Sequence, residues 1–340
     1  MKLSKRTSIA TIAAAAAFFF AAGAAQAAAT IINPAGTVAL GVNDLGHLNT
    51  SVGSVTSNAG GITGLAYRFA DGSFRDATAP GCLCEGWGVS VNGTTAGYAN
   101  VAGGTAGLGL TSFASTATTA TSSVFLTALS GLKVTHAYSP ANNAPGALFK
   151  AVVTITNDTA AAVNNVKYVR VMDWDVPPTE FSEFVTIKGT ATTTLLERSH
   201  NDGFASSNPL LNSGGIDPTT LNVDFTDNGP TDHGAYFRFN FGTIAAGASY
   251  TFTTFYGAAG TEADALAAIG AEGIELYSLG QSRSGGQITG SPATFIFGFA
   301  GVGGTPVEPP IGVPEPGSLA LAGLALAGLG FARRRKTSAV

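Results

Sequence analysis

Residues 147–157 read ALFKAVVTITN, with Phe149, Ala151, Val153 and Ile155 on one side of an extended backbone and Lys150, Thr154 and Thr156 on the other. A period of two with one apolar side describes a strand that turns one face to a core and the other to a surface. The segment 166–176, VKYVRVMDWDV, is again rich in β-branched and aromatic residues, and the small and polar stretch 158–165 between the two predicts an antiparallel hairpin. Similar runs stand at 89–91, followed by the turn pair Asn92-Gly93, and at 184–187, 192–197, 235–241, 249–256 and 294–299. Their spacing predicts an all-β, β-sandwich-like body, folded as one unit or as two sheets or subdomains.

One short helix interrupts this pattern. Thr261-Glu262-Ala263-Asp264 has the character of a capping box, Leu266 and Ile269 follow at helical spacing, and Gly270 and Gly273 end the run, which predicts a helix over 262–271. Residues 99–121 are nearly all Gly, Ala, Ser and Thr, so they form either a weakly packed strand pair or a loop. The chain has 340 residues, 45% of them hydrophobic, enough for a sizeable core. Only 11% are charged, against about 25% in ordinary soluble domains. With 45 Gly and abundant Thr and Ala, that composition is that of a β-rich secreted protein.

The two ends are built differently from the body. Lys2, Lys5 and Arg6 precede an apolar run over 9–25, and Ala25-Gln26-Ala27 supplies the small-x-small pattern that a signal peptidase accepts. Cleavage is expected after Ala27, giving a signal peptide at 1–27 and a body at 28–300. A Gly- and Pro-rich linker follows at 301–312. The tail, 313–340, has three parts in order: Val313-Pro314-Glu315-Pro316, an apolar stretch over 318–332, and the basic cluster Arg333, Arg334, Arg335 and Lys336. The apolar stretch predicts a C-terminal hydrophobic helix, marginally short for a bilayer, with the basic cluster held at the cytoplasmic headgroups. Proline cannot continue that helix, so the Pro-Glu-Pro box is expected to stand extended on the outer side of the membrane.

This tail resembles the PEP-CTERM sorting signal. The resemblance covers about 25 residues and implies processing by an exosortase, a membrane-embedded protease of Gram-negative bacteria. It also implies transient residence in the inner membrane, a final location at the cell surface or outside the cell, and association with exopolysaccharide or biofilm. Segments of the body, MDWDVPP at 172–178 and YGAAGTE at 256–262, are similar to those of secreted bacterial proteins that carry this tail.

The net charge of −4 conceals an acidic body, because seven of the 17 basic residues lie in the tails. From 28 to 313 there are 10 Lys and Arg against 20 Asp and Glu, which disfavours nucleic acid as a partner. Asp173 and Asp175 are expected on one strand face, with Arg170, Met172 and Trp174 on the other. Paired carboxylates suit Ca²⁺ or acid–base chemistry, while backbone capping at a strand end is the commoner role for such residues. An exposed Trp174 could stack on a sugar ring, and a core tryptophan is the commoner case.

The stretch VDFTDNGPTDHG offers Asp224, Asp227 and Asp232 as hard oxygen ligands without EF-hand spacing, and turn formation explains the same residues. Cys82 and Cys84 could form a short disulfide, which requires a turn, or join a metal site. His47, His136, His200 and His233 are scattered singly, as structural histidines are. No catalytic residue is assigned, since neither a nucleophile elbow nor a phosphate loop occurs. No cofactor is expected, Ca²⁺ being the one ion that the acidic segments suit. The resulting expectation is a non-enzymatic surface or matrix protein. A secreted carbohydrate-active enzyme using Asp173, Asp175 or Glu180, and a Ca²⁺-stabilised adhesion module, are the alternatives.

Overall fold

In the computed structural model, residues 27–58, 60–290 and 293–307 are described. The apolar run of the expected signal peptide, Ala25, the Val313-Pro314-Glu315-Pro316 box, the hydrophobic stretch and the basic cluster lie outside them. The body opens with an antiparallel four-stranded meander of β1 (Ala28–Ile32), β2 (Val38–Asn43), β3 (Leu65–Arg68) and β4 (Phe74–Asp76). A hairpin of β5 (Gly86–Val91) and β6 (Thr95–Asn100) follows. It turns through Asn92 and Gly93 at φ 58° and 73°, as the Asn-Gly pair predicts.

Then come β7 (Leu108–Ser115), β8 (Ala120–Leu126), β9 (Leu129–Pro140), β10 (Leu148–Asn157), β11 (Lys167–Trp174), β12 (Glu183–Lys188) and β13 (Leu196–His200). The chain continues through β14 (Phe225–Thr231), β15 (His233–Asn240), β16 (Ser249–Ala259), helix α1 (Glu262–Ala271), β17 (Leu276–Gln281), a small ribbon of β18 (Arg283–Ser284) with β19 (Gln287–Ile288), and β20 (Thr294–Ala300). Two sheets dominate. A nine-stranded sheet runs β14-β12-β17-β20-β16-β10-β9-β8-β7, and a five-stranded sheet runs β13-β15-β11-β5-β6. Their facing sides share one core, with Trp87, Tyr168, Trp174, Phe237 and Phe239 from the smaller sheet and Val153, Phe252, Tyr256, Phe297 and Phe299 from the larger. The architecture is an all-β sandwich with one α-helix among the described residues.

The expected hairpin of 147–157 with 166–176 does not form. β10 pairs with β9 and β16, whereas β11 pairs with β5 and β15, so the two strands face each other from opposite sheets. Residues 158–165 form an arch rather than a turn, and Asn157 fastens its start by donating to the carbonyls of Ala161 and Ile244, both at 2.9 Å. Alternation with period two identifies a strand that covers a core. It cannot distinguish a partner beside the strand from one across the core.

Helix α1 occupies the bounds expected from its cap: Thr261 accepts from the Asp264 amide at 3.2 Å. Ala265, Ala268 and Ile269 pack on Phe255, Tyr277, Leu279 and Ile296, which buries the outer face of the larger sheet at β16, β17 and β20. The remaining outer face, on β7 to β10 and the start of β16, stays open. The expected strand at 192–197 begins later, at Leu196, and residues 99–121 hold the end of β6, all of β7 and the start of β8. Residues 301–307 of the expected linker lie against the body: Val302 is buried, and Glu275 accepts from the amides of Gly301, Val302 and Gly304, each at 2.9 Å.

β11 is buried on both faces. Tyr168, Arg170, Met172 and Trp174 point into the sandwich, while Val169 and Val171 pack with Ala205 and Tyr236 beneath the long segment 201–224. Two arginines pin that segment. Arg238 donates to the carbonyl of Leu211 at 2.9 Å and to Asn212 Oδ1 at 3.0 Å, and Arg198 donates to the Ser213 carbonyl at 2.6 Å. Trp174 is fully buried, with Nε1 donating to Ser278 Oγ at 3.0 Å. It therefore offers no platform for a sugar. A side chain at Gly280 would meet its ring at 2.6 Å, so glycine is required there.

Between the sheets lies a charged pair. Arg170 Nε donates to Glu85 Oε1 at 2.5 Å, and both side chains are completely buried. Arg170 also donates to the hydroxyls of Tyr138 at 3.1 Å and Tyr168 at 3.3 Å, and its guanidinium carbon lies 5.3 Å from the Tyr256 ring centre. Glu85 accepts from the Leu48 amide at 2.6 Å and from Tyr256 Oη at 3.3 Å. His136, against Trp87, exchanges a hydrogen bond with Tyr168 Oη at 2.9 Å.

His47 sits beside this network, and burial together with the Arg170 charge lowers its pKa to about 3. An unfolded chain protonates this histidine below about pH 6.5, whereas the folded one resists until about 3, so its contribution to stability is complete above 6.5 and is lost as the pH falls. Between pH 7 and 5 the wild type is expected to lose about 2 kcal/mol more than a His47→Gln variant in urea denaturation. Equal losses would show that His47 takes up its proton without unfolding.

Candidate functional site

The end of β11 brings together carboxylates that are far apart in the chain. β11 and β15 pair with Asp173 opposite Gly234 and Trp174 opposite His233. Continuing that ladder by one residue sets Asp175 across from Asp232, which occupies the tight connection between β14 and β15. The segment 201–224 closes over the same place, since a side chain on Gly203 would lie 2.6 Å from the Asp173 Cα. One carboxylate oxygen from each of Asp173, Asp175 and Asp232 lies within 4.8 Å of the others.

The three carboxylates are poorly compensated. Asp173 is 1% exposed and Asp175 is fully buried, yet Oδ1 of each has no hydrogen-bond partner, nor has the buried Oδ1 of Asp232. Asp175 Oδ2 accepts from the Gly81 amide at 3.1 Å. None of the ion pairs among the described residues involves these side chains. Burial, reinforced by the charges of Asp175 and Asp232, pushes the Asp173 carboxyl up to about 9. Burial raises Asp175 to about 7 against the opposing Gly81 amide, and it raises Asp232 as well.

Glu183, at the start of β12, is also pushed up to about 9 by burial, although its oxygens accept from the His233 amide at 3.1 Å and the Ser182 amide at 3.0 Å. It supports the strand ends rather than facing the cluster with a free oxygen. Sequence reasoning missed it, because nothing local marks a glutamate that holds the amide of His233, 50 residues away.

Cys82 and Cys84 are joined as a disulfide in a non-strand segment with a Cα separation of 5.1 Å, and Cys82 Sγ lies 3.4 Å from Asp173 Oδ2. The sulfurs therefore form one wall of the acidic cluster. The other expected ligands go elsewhere. Asp224 accepts from the Thr190 amide at 2.9 Å and hydroxyl at 2.7 Å, and Asp227 exchanges hydrogen bonds with Thr186 across β12 and β14. Both act as turn and edge residues, and the expectation that Asp224, Asp227 and Asp232 share one site does not hold. Glu180 is half-buried on a separate recess of about 250 Å³ that is also lined by Thr56, Arg75, Asp76 and Pro80.

The four histidines are all buried. His200 stacks on Tyr236 with ring centres 4.5 Å apart, and burial lowers its pKa to about 4. His233 meets Asn201 Nδ2 through Nδ1 at 3.3 Å.

No described helix is long and apolar enough to cross a membrane. No curated protein matches the chain. A family model, the PEP-CTERM protein-sorting motif, matches residues 312–336, which contain the Val-Pro-Glu-Pro box, the apolar stretch and the basic cluster. The chain is thus an exported β-rich protein that carries a PEP-CTERM protein-sorting motif and is sorted through it by an exosortase.

Proposed function

We propose that this is a non-enzymatic protein of the Gram-negative cell surface or extracellular matrix, and that the open face of its larger sheet lies along exopolysaccharide. The reading rests on a row of hydroxyls across five strands. Strand register aligns Ser112 of β7, Ser123 of β8, Thr135 of β9, Thr154 of β10 and Thr251 of β16. Adjacent members stand about 4.7–4.9 Å apart in a sheet. Thr121, Thr156, Ser249 and Thr253 extend the row in both directions along the strands, beside Val152, Ala137 and Phe125.

Cross-strand bonds hold these side chains in place: Ser123 with Thr135 at 3.0 Å, Thr154 with Thr251 at 3.1 Å, and Thr156 with Ser249 at 2.9 Å. A hydroxyl both donates and accepts, so a fixed array of them beside methyl groups suits a polyol chain better than a charged ligand. The Thr135→Val, Thr154→Val, Thr251→Val variant keeps β-branched residues and is expected to weaken co-sedimentation with exopolysaccharide by about tenfold, from the loss of a few net hydrogen bonds. Undiminished co-sedimentation would exclude this face. Release of oligosaccharides by the wild type would replace the proposal with a carbohydrate-active enzyme.

A further inference from the structure

We infer that Asp173, Asp175 and Asp232 form a site for a hard divalent cation, Ca²⁺ by its ligand set, which ties the end of β11 to the β14–β15 connection. The three oxygens lie within 4.8 Å of one another, close enough to share one ion. The second observation is independent of their acidity. Asp173 and Asp175 are more than nine-tenths buried, and Oδ1 of each has no hydrogen-bond partner, where buried polar atoms are ordinarily satisfied. Asp232 contributes a third such oxygen.

Three carboxylates held together without a cationic side chain repel one another, and a divalent ion removes that repulsion. The donor set consists of oxygen, since the neighbouring sulfurs are joined to each other, and oxygen donors select Ca²⁺ or Mg²⁺ over softer metals. Asp232 is half-buried, so water can reach the site and complete the six to eight oxygens that Ca²⁺ takes. Mg²⁺ needs a tight octahedron and dehydrates reluctantly, which favours Ca²⁺ at a site assembled from a strand end and a connection.

The site differs from both arrangements that the sequence suggests. It takes two aspartates from MDWDV and one from TDHG, and strand register brings them together. It is also independent of any contact between the sheet face and polysaccharide.

The test is calorimetric titration and thermal unfolding of the exported, oxidised protein, first stripped with chelator. Ca²⁺ is expected to bind with a Kd of about 10⁻⁴–10⁻³ M, as in extracellular modules, and to raise the melting temperature by about 2–3 °C at a tenfold excess over Kd. Mg²⁺ at the same concentration is expected to do less. In Asp173→Asn and Asp232→Asn the affinity should fall by at least about tenfold. In chelator each variant should melt at or above the wild-type temperature, because asparagine keeps the shape of aspartate and needs no counter-ion. That second readout separates a lost ligand from a damaged fold. The inference is overturned if 10 mM Ca²⁺ produces neither heat nor a melting shift, if the Asp173→Asn, Asp232→Asn double variant responds as the wild type does, or if Mg²⁺ and Ca²⁺ act equally.

Discussion

Arg170→Met is expected to cost about 3–5 kcal/mol, a large fraction of the stability of an ordinary domain. The substitution leaves Glu85 fully buried, with the Leu48 amide and the Tyr256 hydroxyl as its remaining partners. The buried carboxylate then lacks the cation that offset its desolvation, and Tyr138 and Tyr168 each lose a donor. Glu85→Gln, Arg170→Met removes both charges and is expected to recover part of the loss. The two single effects should therefore exceed the double one by about 1–3 kcal/mol in a mutant cycle read by urea denaturation. A single-variant loss below about 1 kcal/mol would mean that water reaches the pair. The comparison also bears on why an ion pair is kept there. It draws Glu85, just before β5, together with Arg170 of β11, Tyr138 of β9 and Tyr256 of β16 to one point and so sets how the two sheets face each other.

The second large effect lies in the tail. Replacing Pro314, Glu315 and Pro316 by alanine is expected to abolish removal of the C-terminal segment in a host with the matching exosortase, while export itself continues. Alanine permits helix where proline forbids it, so the adjoining apolar stretch can extend through the box and withdraw the chain from the protease. Mass spectrometry of the exported protein reads the result directly: the variant should retain Arg333, Arg334, Arg335 and Lys336, and the wild type should lack them. A variant processed like the wild type would show that the protease reads the basic cluster or the hydrophobic stretch instead.

Much of the body was legible because its signals are local. Asn92-Gly93 demands positive φ at two successive residues, and Thr261 with Asp264 caps a helix without help from the rest of the fold. The alternation of β10 marks which side chains are inward. Its partner was not legible, because Val153 and Ile155 would look the same whether β11 lay beside them or across the core. β11 reads as a two-faced strand only once the segment 201–224 is seen to cover Val169 and Val171, and no periodicity in that segment announces a cover.

For the candidate site, the residue types were legible and the grouping was not. Asp173, Asp175 and Asp232 stand out as acidic residues near strand ends, as do Asp224 and Asp227, which turn out to serve Thr190 and Thr186. Five candidates became three when the pairing of β11 with β15 selected which loops meet. The contact of Glu183 with His233 and the Glu85–Arg170 pair left no trace in the sequence, since each joins residues tens of positions apart.

The sequence by itself determined that the body is β-rich, that it carries the sorting motif at 312–336, and where its helix begins and ends. Each of these is set by side chains acting within a few residues of one another. Only the tertiary structure decided that β10 and β11 face each other, that Trp174 is interior, that a row of hydroxyls stays open where α1 does not cover the sheet, and that three aspartates meet at one strand end. Those outcomes depend on sheet pairing and register between distant segments, where a shift of one residue exchanges inside for outside.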